Sequence, residues 1–125
     1  MSAYEHDPLT HQVIGCAIEV HRELGPGLAE STYEAALCIE LTHAGIAFNR
    51  QPGVPVVYKG RTIGQYRPDL VVRDRLVIEI KSVERLAGVH AAQLLKYMQV
   101  LKIPVGLLLN FNGEVIRTGI KRLAL

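Results

Sequence analysis

The sequence predicts an α/β fold in which helices flank a central mixed β-sheet. Helices and strands are expected in the order α, α, β, β, β, α, β, β, which interleaves the two kinds of element. Residues 104–110 form an almost unbroken apolar run after a helical stretch, which is typical of a strand buried on both faces and reached by a crossover. With 125 residues, 49% of them hydrophobic, the chain is expected to form one globular domain over residues 1–125.

Two helices are predicted before any strand. Asp7 and Pro8 suit the N-cap and first turn of a helix that ends at residues 25–27, Gly-Pro-Gly. A second helix is expected from near Leu28 to just before Gly45. Its apolar stripe consists of Tyr33, Leu37 and Leu41.

One carboxylate lies on this apolar stripe. Glu30 precedes Tyr33 by three residues and Leu37 by seven, so it is expected to face the same way. A carboxylate on a buried stripe indicates a functional site, unless it belongs to the first turn of the helix, where its charge suits the helix dipole. Glu34 and Glu40 are expected to be solvated.

The centre of the sequence is a hairpin over residues 66–81, with residues 73–75 as its polar turn. Period-two alternation places Glu79 and Lys81 on one face of the second strand. A three-residue turn then places Asp69 directly opposite Glu79 on that face, with Cβ atoms roughly 4.5–5.5 Å apart. Such a pair needs a basic neighbour, a shared proton or a bound cation. Oxygen ligands alone favour magnesium or manganese.

Pro68 is expected to interrupt the first strand of this hairpin. Proline donates no ladder hydrogen bond, so it belongs at a sheet edge or in a β-bulge. A bulge at this position would re-aim Asp69.

The remaining segments complete the predicted order. Residues 46–55 are expected to be a connector, and residues 56–58 and 62–66 a second hairpin. A third helix is predicted from about Ala87 to Lys102, and a last edge strand over residues 115–123. On the third helix, Gln93 and Tyr97 are four residues apart. They form either an ordinary helix edge or the mouth of a site, where Gln and Tyr can meet a phosphate or a base.

Composition limits the possible partners. A net charge of +2 permits nucleic-acid binding, and the apolar runs are far shorter than the ~20 residues that cross a bilayer, so no membrane association is expected. The polar N-terminus is unlike a signal peptide, which favours a cytoplasmic protein. Cys16 and Cys38 are expected to be buried free thiols. The five histidines lack zinc-ligand spacing and are expected at the surface or behind the site.

Two motifs carry a resemblance to known families. Residues 27–33, Gly-Leu-Ala-Glu-Ser-Thr-Tyr, match the signature of the GxxExxY protein family, and the similarity extends over roughly residues 9–122. Pro68-Asp69 followed by Glu79-Ile80-Lys81 resembles the PD-(D/E)XK nuclease superfamily, in which the GxxExxY family is usually placed. Gln93 and Tyr97 resemble the extra motif of its RecB-like branch. The resemblance implies a restriction-endonuclease-like core, a three-layer-type sandwich.

The resemblance also implies a metal-dependent nuclease, a hydrolase of phosphodiester bonds. Asp69 and Glu79 would hold magnesium (or manganese), with Glu30 as the third acid because it belongs to the family signature; Glu34, one turn away, is the alternative. Lys81 would orient or deprotonate the attacking water. Gln93 and Tyr97 would contact the substrate. The implied partner is nucleic acid, with DNA favoured over RNA, and a homodimer is an option because small nuclease cores often pair.

Other classes of function fit the same sequence. A binding module without hydrolytic activity would use the same groove to hold nucleic acid or a protein, and the small size of the chain favours it. The retention of every acidic and basic site position argues against it. A structural or toxin–antitoxin-type partner has no specific support in the sequence.

Overall fold

The computed structural model describes residues 7–125, and the polar N-terminal segment with His6 lies outside them. The helices are α1 (Pro8–Leu24), α2 (Glu30–His43) and α3 (Gly88–Leu101). The strands are β1 (Phe48–Arg50), β2 (Val54–Tyr58), β3 (Arg61–Tyr66), β4 (Leu70–Val72), β5 (Leu76–Lys81), β6 (Val105–Asn110) and β7 (Ile120–Ala124). A 3₁₀ helix, Ile116–Gly119, precedes β7.

Five strands form one mixed sheet in the order β1-β4-β5-β6-β7. Strands β5 and β6 are parallel and are connected through α3, whereas the other neighbouring pairs are antiparallel. Strands β2 and β3 form a separate two-stranded ribbon. The predicted α/β fold with a mixed sheet flanked by helices is confirmed.

The sheet is covered on both faces, which gives three layers. One face carries Leu76, Ile78 and Ile80, in a core shared with α1 and α2. The other face carries Val71 and Val77, which pack with the buried side of α3. The alternation predicted for β5 is therefore confirmed, and it directs Glu79 and Lys81 toward the α3 layer.

The helix limits agree with the capping signals. Asp7 is the N-cap of α1, and its carboxylate accepts a hydrogen bond from the Thr10 backbone N–H at 3.3 Å. Gly25 ends α1 with a φ of 66°, a conformation that favours glycine. Helix α3 lies within one residue of its predicted limits, between Ala87 and Lys102.

Both predicted hairpins are present. In the β2–β3 ribbon, Lys59 and Gly60 form a two-residue turn with positive φ values of 48° and 78°. In the central hairpin, Val72 pairs with Leu76, so residues 73–75 form the predicted three-residue turn. This pairing fixes the register on which the relation between Asp69 and Glu79 depends.

The predicted element order was wrong in its number of strands, since five strands and not three precede α3. Two predictions for individual strands were also wrong. Residues 48–50, which were expected in a connector, form strand β1 and pair with β4; three residues are too few to show an alternating pattern. The last strand begins at Ile120 and not at residue 115, because residues 116–119 form a 3₁₀ turn.

Pro68 interrupts strand structure, as predicted, but it lies between two separate strands and not in a β-bulge. Strand β3 ends at Tyr66 in the ribbon, and β4 begins at Leu70 in the main sheet. The missing N–H of Pro68 therefore lies outside both ladders, where proline removes no strand pairing.

The expectation for the histidines was wrong at one position. His21 is buried, and its Nε2 atom lies 2.7 Å from the Gly113 carbonyl oxygen, so it links α1 to the loop after β6. Cys16 and Cys38 are both free, as predicted, but only Cys38 is buried, whereas Cys16 is partly exposed.

Substitution of Gly119 by alanine should destabilise the protein. An alanine Cβ there would collide with the backbone carbonyl oxygen of Asn110, which cannot move without disturbing β6. Overpacking of this kind costs about 1–3 kcal/mol.

Gly15→Ala is the matched control, because nothing lies within 4 Å of its added Cβ. Because alanine favours a helix interior over glycine by about 0.5–1 kcal/mol, this variant should gain stability. Chemical denaturation of both variants tests the prediction, and equal stabilities would contradict it.

Candidate active site

The candidate site is built on two hydrogen bonds that Asp69 and Glu79 exchange. The Asp69 backbone N–H donates to Glu79 Oε1 at 2.8 Å. The Ile80 backbone N–H donates to Asp69 Oδ2 at 2.7 Å. Each carboxylate thus binds the backbone of the opposite segment, and the two side chains lie together at the end of the β4–β5 ladder.

The location of this pair follows from the strand register. Leu70 pairs with Ile78 in the last regular step of the ladder, so Asp69 and Glu79 would be the next pair. On its other side, the Asp69 carbonyl oxygen accepts a hydrogen bond from the Gln51 N–H at 2.8 Å, which continues the β1–β4 pairing. Asp69 is therefore held by hydrogen bonds from both sides, from β5 and from the residue that follows β1.

Burial changes the protonation of both acids. Glu79 is 4% exposed, and burial is the main reason that its pKa rises from 4.5 to about 8, with the neighbouring Asp69 charge as the next cause. Burial also raises the pKa of Asp69 from 3.8 to about 6, although the hydrogen bond from Ile80 opposes this. The charge on Lys81 lowers both pKa values, which places its ammonium group near the two carboxylates.

A third acid reaches this pair from α2, and it is Glu34. Its carboxyl group lies close to that of Asp69, and its charge raises the pKa of both Asp69 and Glu79. The expectation that Glu34 is solvated was wrong, since it is 3% exposed. Its spacing of three residues before Leu37 and seven before Leu41 was the available sequence signal.

Glu34 is held in place from β1 and the residue after it. Arg50 Nε donates to Glu34 Oε2 at 2.7 Å, and Gln51 Nε2 donates to the same oxygen at 2.9 Å. Gln51 adopts a φ of 49°, which is uncommon for a residue other than glycine. Neither partner was predicted, because β1 itself was not.

The structure places Glu30 at a different position. Glu30 is exposed, and its Oε2 accepts a hydrogen bond from the Ser82 N–H at 3.1 Å, one residue beyond the end of β5. The Ser82 hydroxyl donates to the Leu28 carbonyl oxygen, and the Tyr33 hydroxyl contacts the Leu28 N–H. The motif at residues 27–33 therefore ties the start of α2 to the end of β5. A direct contact between Glu30 and a metal ion stays a prediction.

Helix α3 contributes a tyrosine to the site. Burial raises the pKa of Tyr97, and the charges of Glu79 and Asp69 raise it further, so its hydroxyl lies close to the two acids. The Tyr97 ring also packs edge-on against Tyr66 of the ribbon, with 5.3 Å between ring centroids. Gln93 lies one turn earlier on α3 and is exposed. A role for Tyr97 and Gln93 at the mouth of a site stays a prediction.

Asn110 positions the segment that follows β5. Its side-chain amide accepts from the Val83 N–H at 3.1 Å and donates to the Val83 carbonyl oxygen at 2.9 Å. Sequence reasoning missed this residue because it closes an apolar strand. The amide fixes the chain just after Lys81 and Ser82.

The donor set fits a hard divalent cation. Three carboxyl groups and no nitrogen or sulfur ligand meet here, and oxygen ligands of this kind suit magnesium or manganese. Within residues 7–125, no three His, Cys, Asp or Glu side chains are already arranged to hold a metal ion together. The raised pKa values show that Lys81 alone does not offset the buried negative charge. A cation would offset that charge if the carboxyl groups reoriented around it.

The three-layer fold and the carboxylates at the ends of β4 and β5 define a nuclease-type α/β domain. A family model described as the PD-(D/E)XK nuclease superfamily matches residues 7–123, so the chain belongs to this superfamily. Comparison with curated proteins gave no match. In the part of the chain that the structure describes, no helix has the length and apolar character needed to cross a bilayer.

The metal-free protein should lose stability as the pH rises from about 4 to about 8. The raised pKa values mean that the folded state keeps protons on Asp69 and Glu79 that the unfolded chain releases above pH 3.8 and 4.5. The stability from these groups is complete below the unfolded pKa values and is lost as the pH rises through about 6 and about 8.

Denaturant titrations in EDTA across this pH range test the prediction. The control is the double variant Asp69→Asn/Glu79→Gln, which removes both titrations. The stability difference between wild type and variant should become less favourable to the wild type with rising pH. A constant difference would show that the two acids do not titrate in this window.

Proposed function

We propose that this protein is a magnesium-dependent nuclease that hydrolyses phosphodiester bonds in nucleic acid. The main support is the arrangement of Asp69 and Glu79, whose carboxylates are held together at one end of the β4–β5 ladder with Lys81 nearby. Membership of the nuclease superfamily supports the same class of reaction. The proposal includes the cytoplasmic location that the sequence favours.

Asp69 and Glu79 are the proposed ligands of the cation. When bound, magnesium or manganese would polarise the phosphate and lower the pKa of a coordinated water molecule. Metal binding requires deprotonated carboxylates, so Asp69 and Glu79 must release the protons that burial favours. Their backbone hydrogen bonds fix one oxygen of each group, Glu79 Oε1 and Asp69 Oδ2, and so limit how each carboxylate can turn toward a ligand.

Lys81 is the proposed group for the attacking water. It follows Glu79 by two residues on the same strand face, and its charge acts on both acids. An ammonium group there would orient the water and offset the negative charge that develops on the phosphate. Tyr97, and Gln93 at the exposed edge of α3, are the proposed substrate contacts.

Glu34 is the proposed third acid of the site. This assignment is supported by the interaction of the Glu34 carboxyl group with that of Asp69. Glu30 instead accepts a hydrogen bond from the Ser82 N–H. Glu34 would either bind the cation directly or accept hydrogen bonds from its water ligands. Glu30 would then act through the backbone, by holding the segment that follows Lys81.

A cleavage assay tests the proposed function. Labelled single-stranded and double-stranded DNA and RNA would each be incubated with the full chain and magnesium, manganese or EDTA. Glu79→Gln and Lys81→Met should each reduce cleavage by roughly a hundredfold or more, since each removes a charge that stabilises the transition state. Asp74→Asn is the control, because this exposed acid lies in the turn at the other end of the β4–β5 hairpin from Asp69 and Glu79.

The same assay separates the two candidates for the third acid. Glu34→Gln should reduce cleavage strongly and shift the magnesium concentration that gives half activity. Glu30→Gln should leave that concentration unchanged and reduce the rate less. Binding of nucleic acid without any cleavage, in all metals, would instead favour a non-catalytic binding module on this fold.

Asp69→Asn should raise the melting temperature of the metal-free protein and weaken its response to manganese. The effect applies above about pH 8, where both acids are ionised. Two carboxylates about 4 Å apart then repel by up to roughly 4 kcal/mol at an effective dielectric constant of 20, and asparagine removes that repulsion. Its side-chain oxygen can still accept the hydrogen bond from Ile80 N–H that Asp69 receives. About 1 kcal/mol shifts the melting temperature of a small domain by roughly 4–8 °C.

Thermal melts of wild type and Asp69→Asn, each in EDTA and in manganese, test this prediction. Manganese should stabilise the wild type by about 2.7 kcal/mol at a hundred times its dissociation constant. A wild type without metal response, together with a destabilised variant, would show that these acids are ion-pair partners and not a metal site.

A further inference from the structure

The β2–β3 ribbon has a surface that the proposed catalytic site does not explain. It pairs with no strand of the main sheet, and large apolar side chains are exposed along it. Val57 and Tyr58 are each 60% exposed, and Ile63 is 65% exposed. A two-stranded hairpin gains little stability alone, so an exposed and partly apolar one indicates a contact surface.

The charge of the ribbon shows which partner it suits. No Asp or Glu occurs in the sequence between Glu40 and Asp69, whereas the ribbon and its ends carry Lys59, Arg61 and Arg67. The Lys59 Nζ atom lies 5.4 Å from the centroid of the Tyr58 ring, so the tip combines an aromatic face with two cations. Such a surface is complementary to a polyanion.

One face of the ribbon is continuous with the candidate active site. Tyr66 pairs with Val54 and packs against Tyr97, whose pKa the active-site acids raise. Along β2, every second residue shares this face, so Tyr58 and its partner Arg61 lie on the same side as Tyr66. The bulge in the ribbon lies opposite Val56 and Val57 and does not interrupt β2.

The length of the ribbon sets the footprint. Along β2, which the bulge does not interrupt, the ribbon advances by four residues from Val54 to Tyr58, or about 14 Å at roughly 3.4 Å per residue. A nucleic-acid strand in a duplex advances about 3.4 Å per nucleotide. The tip would therefore reach a phosphate about four nucleotides from the position opposite Tyr66.

We propose that the β2–β3 ribbon is a duplex-DNA-binding arm, in which Lys59 and Arg61 contact the phosphates beside the scissile bond. The inference rests on the proposed nuclease function and specifies its substrate as duplex DNA. The major groove of B-form DNA admits a two-stranded β-ribbon, whereas the deep, narrow major groove of A-form RNA does not admit side chains that would read it. Contacts of this kind bind phosphate and read little sequence.

The test measures binding without cleavage. The full chain would be titrated in EDTA against labelled duplex DNA of about 30 base pairs and against duplex RNA of the same sequence, at several salt concentrations near 0.1 M. The variant Lys59→Glu/Arg61→Glu should bind duplex DNA roughly ten- to a hundredfold more weakly. Its slope of log affinity against log salt should fall by about two, since each lost phosphate contact removes about 0.9.

Two further variants control the result. Arg117→Glu/Lys121→Glu makes the same change in net charge at exposed residues near β7, at the opposite edge of the sheet from β1. It should leave DNA affinity within about threefold of the wild type. Arg61→Glu alone leaves Lys59 unchanged, and so leaves unchanged the turn in which Lys59 adopts a positive φ. This variant should lower the slope of log affinity against log salt by about one. Circular-dichroism melts check that all variants are folded.

Several outcomes would overturn the proposal. These are equal losses of affinity in the ribbon and control variants, unchanged DNA binding in the ribbon variant, and tighter binding of duplex RNA than of duplex DNA by the wild type. Loss of a dimer in size-exclusion chromatography with DNA affinity retained would instead assign the ribbon to self-association. If DNA binding depends on the ribbon but no metal supports cleavage, the proposed nuclease function is wrong and the proposed DNA-binding role of the ribbon is retained.

Discussion

The hydrogen bonds that Asp69 and Glu79 exchange position the other groups of the candidate site. They form only because the three-residue turn at residues 73–75 sets the register of β4 against β5. A slip of one residue would direct the two carboxylates to opposite faces of the sheet. The break at Pro68 has a related effect, since it ends the regular strand just before Asp69 and allows its side chain to bond to the Ile80 N–H.

The position of these acids places two opposing demands on the fold. A carboxylate that binds a cation must be deprotonated, yet burial against α2 and α3 favours the protonated form. At Glu79 and Asp69 burial outweighs the charge of Lys81, so the metal-free site keeps protons that a bound cation must displace. Perturbed acids of this kind concentrate at functional sites, because the surroundings that disfavour the free charge also strengthen its interaction with a metal or substrate.

Local pattern was enough to predict most of the elements that carry the site. The helix caps, the two hairpin turns and the alternation in β5 each depend on neighbouring residues, and all three agree with the structure. Local pattern could not decide which glutamate of α2 reaches the candidate site. Glu30 and Glu34 are one turn apart, so helical spacing assigns both to the edge of the same stripe. Only the packing of α2 against β1 distinguishes them, and β1 is too short to be recognised in the sequence.

The structural role of the GxxExxY-like motif at residues 27–33 also depends on long-range contacts. The motif at residues 27–33 predicts a catalytic acid, whereas in the structure its side chains form hydrogen bonds to Ser82 and to the turn before α2. Contacts separated by more than fifty residues leave no local pattern. The narrower family membership stays a prediction, whereas membership of the nuclease superfamily is established by the match over residues 7–123.

The attachment of the β2–β3 ribbon has a mechanical consequence. Both of its ends emerge beside the same acid: Gln51 bonds to the Asp69 carbonyl oxygen and to Glu34, and Pro68 leads directly into Asp69. A movement of the ribbon as a rigid body would therefore pivot about the segments that carry the carboxylate pair. A sideways force at Tyr58 acts about 14 Å from the base of the ribbon and exerts torque on the short segments at residues 51 and 67–69. A small displacement of the acids would therefore accompany a much larger swing of the tip.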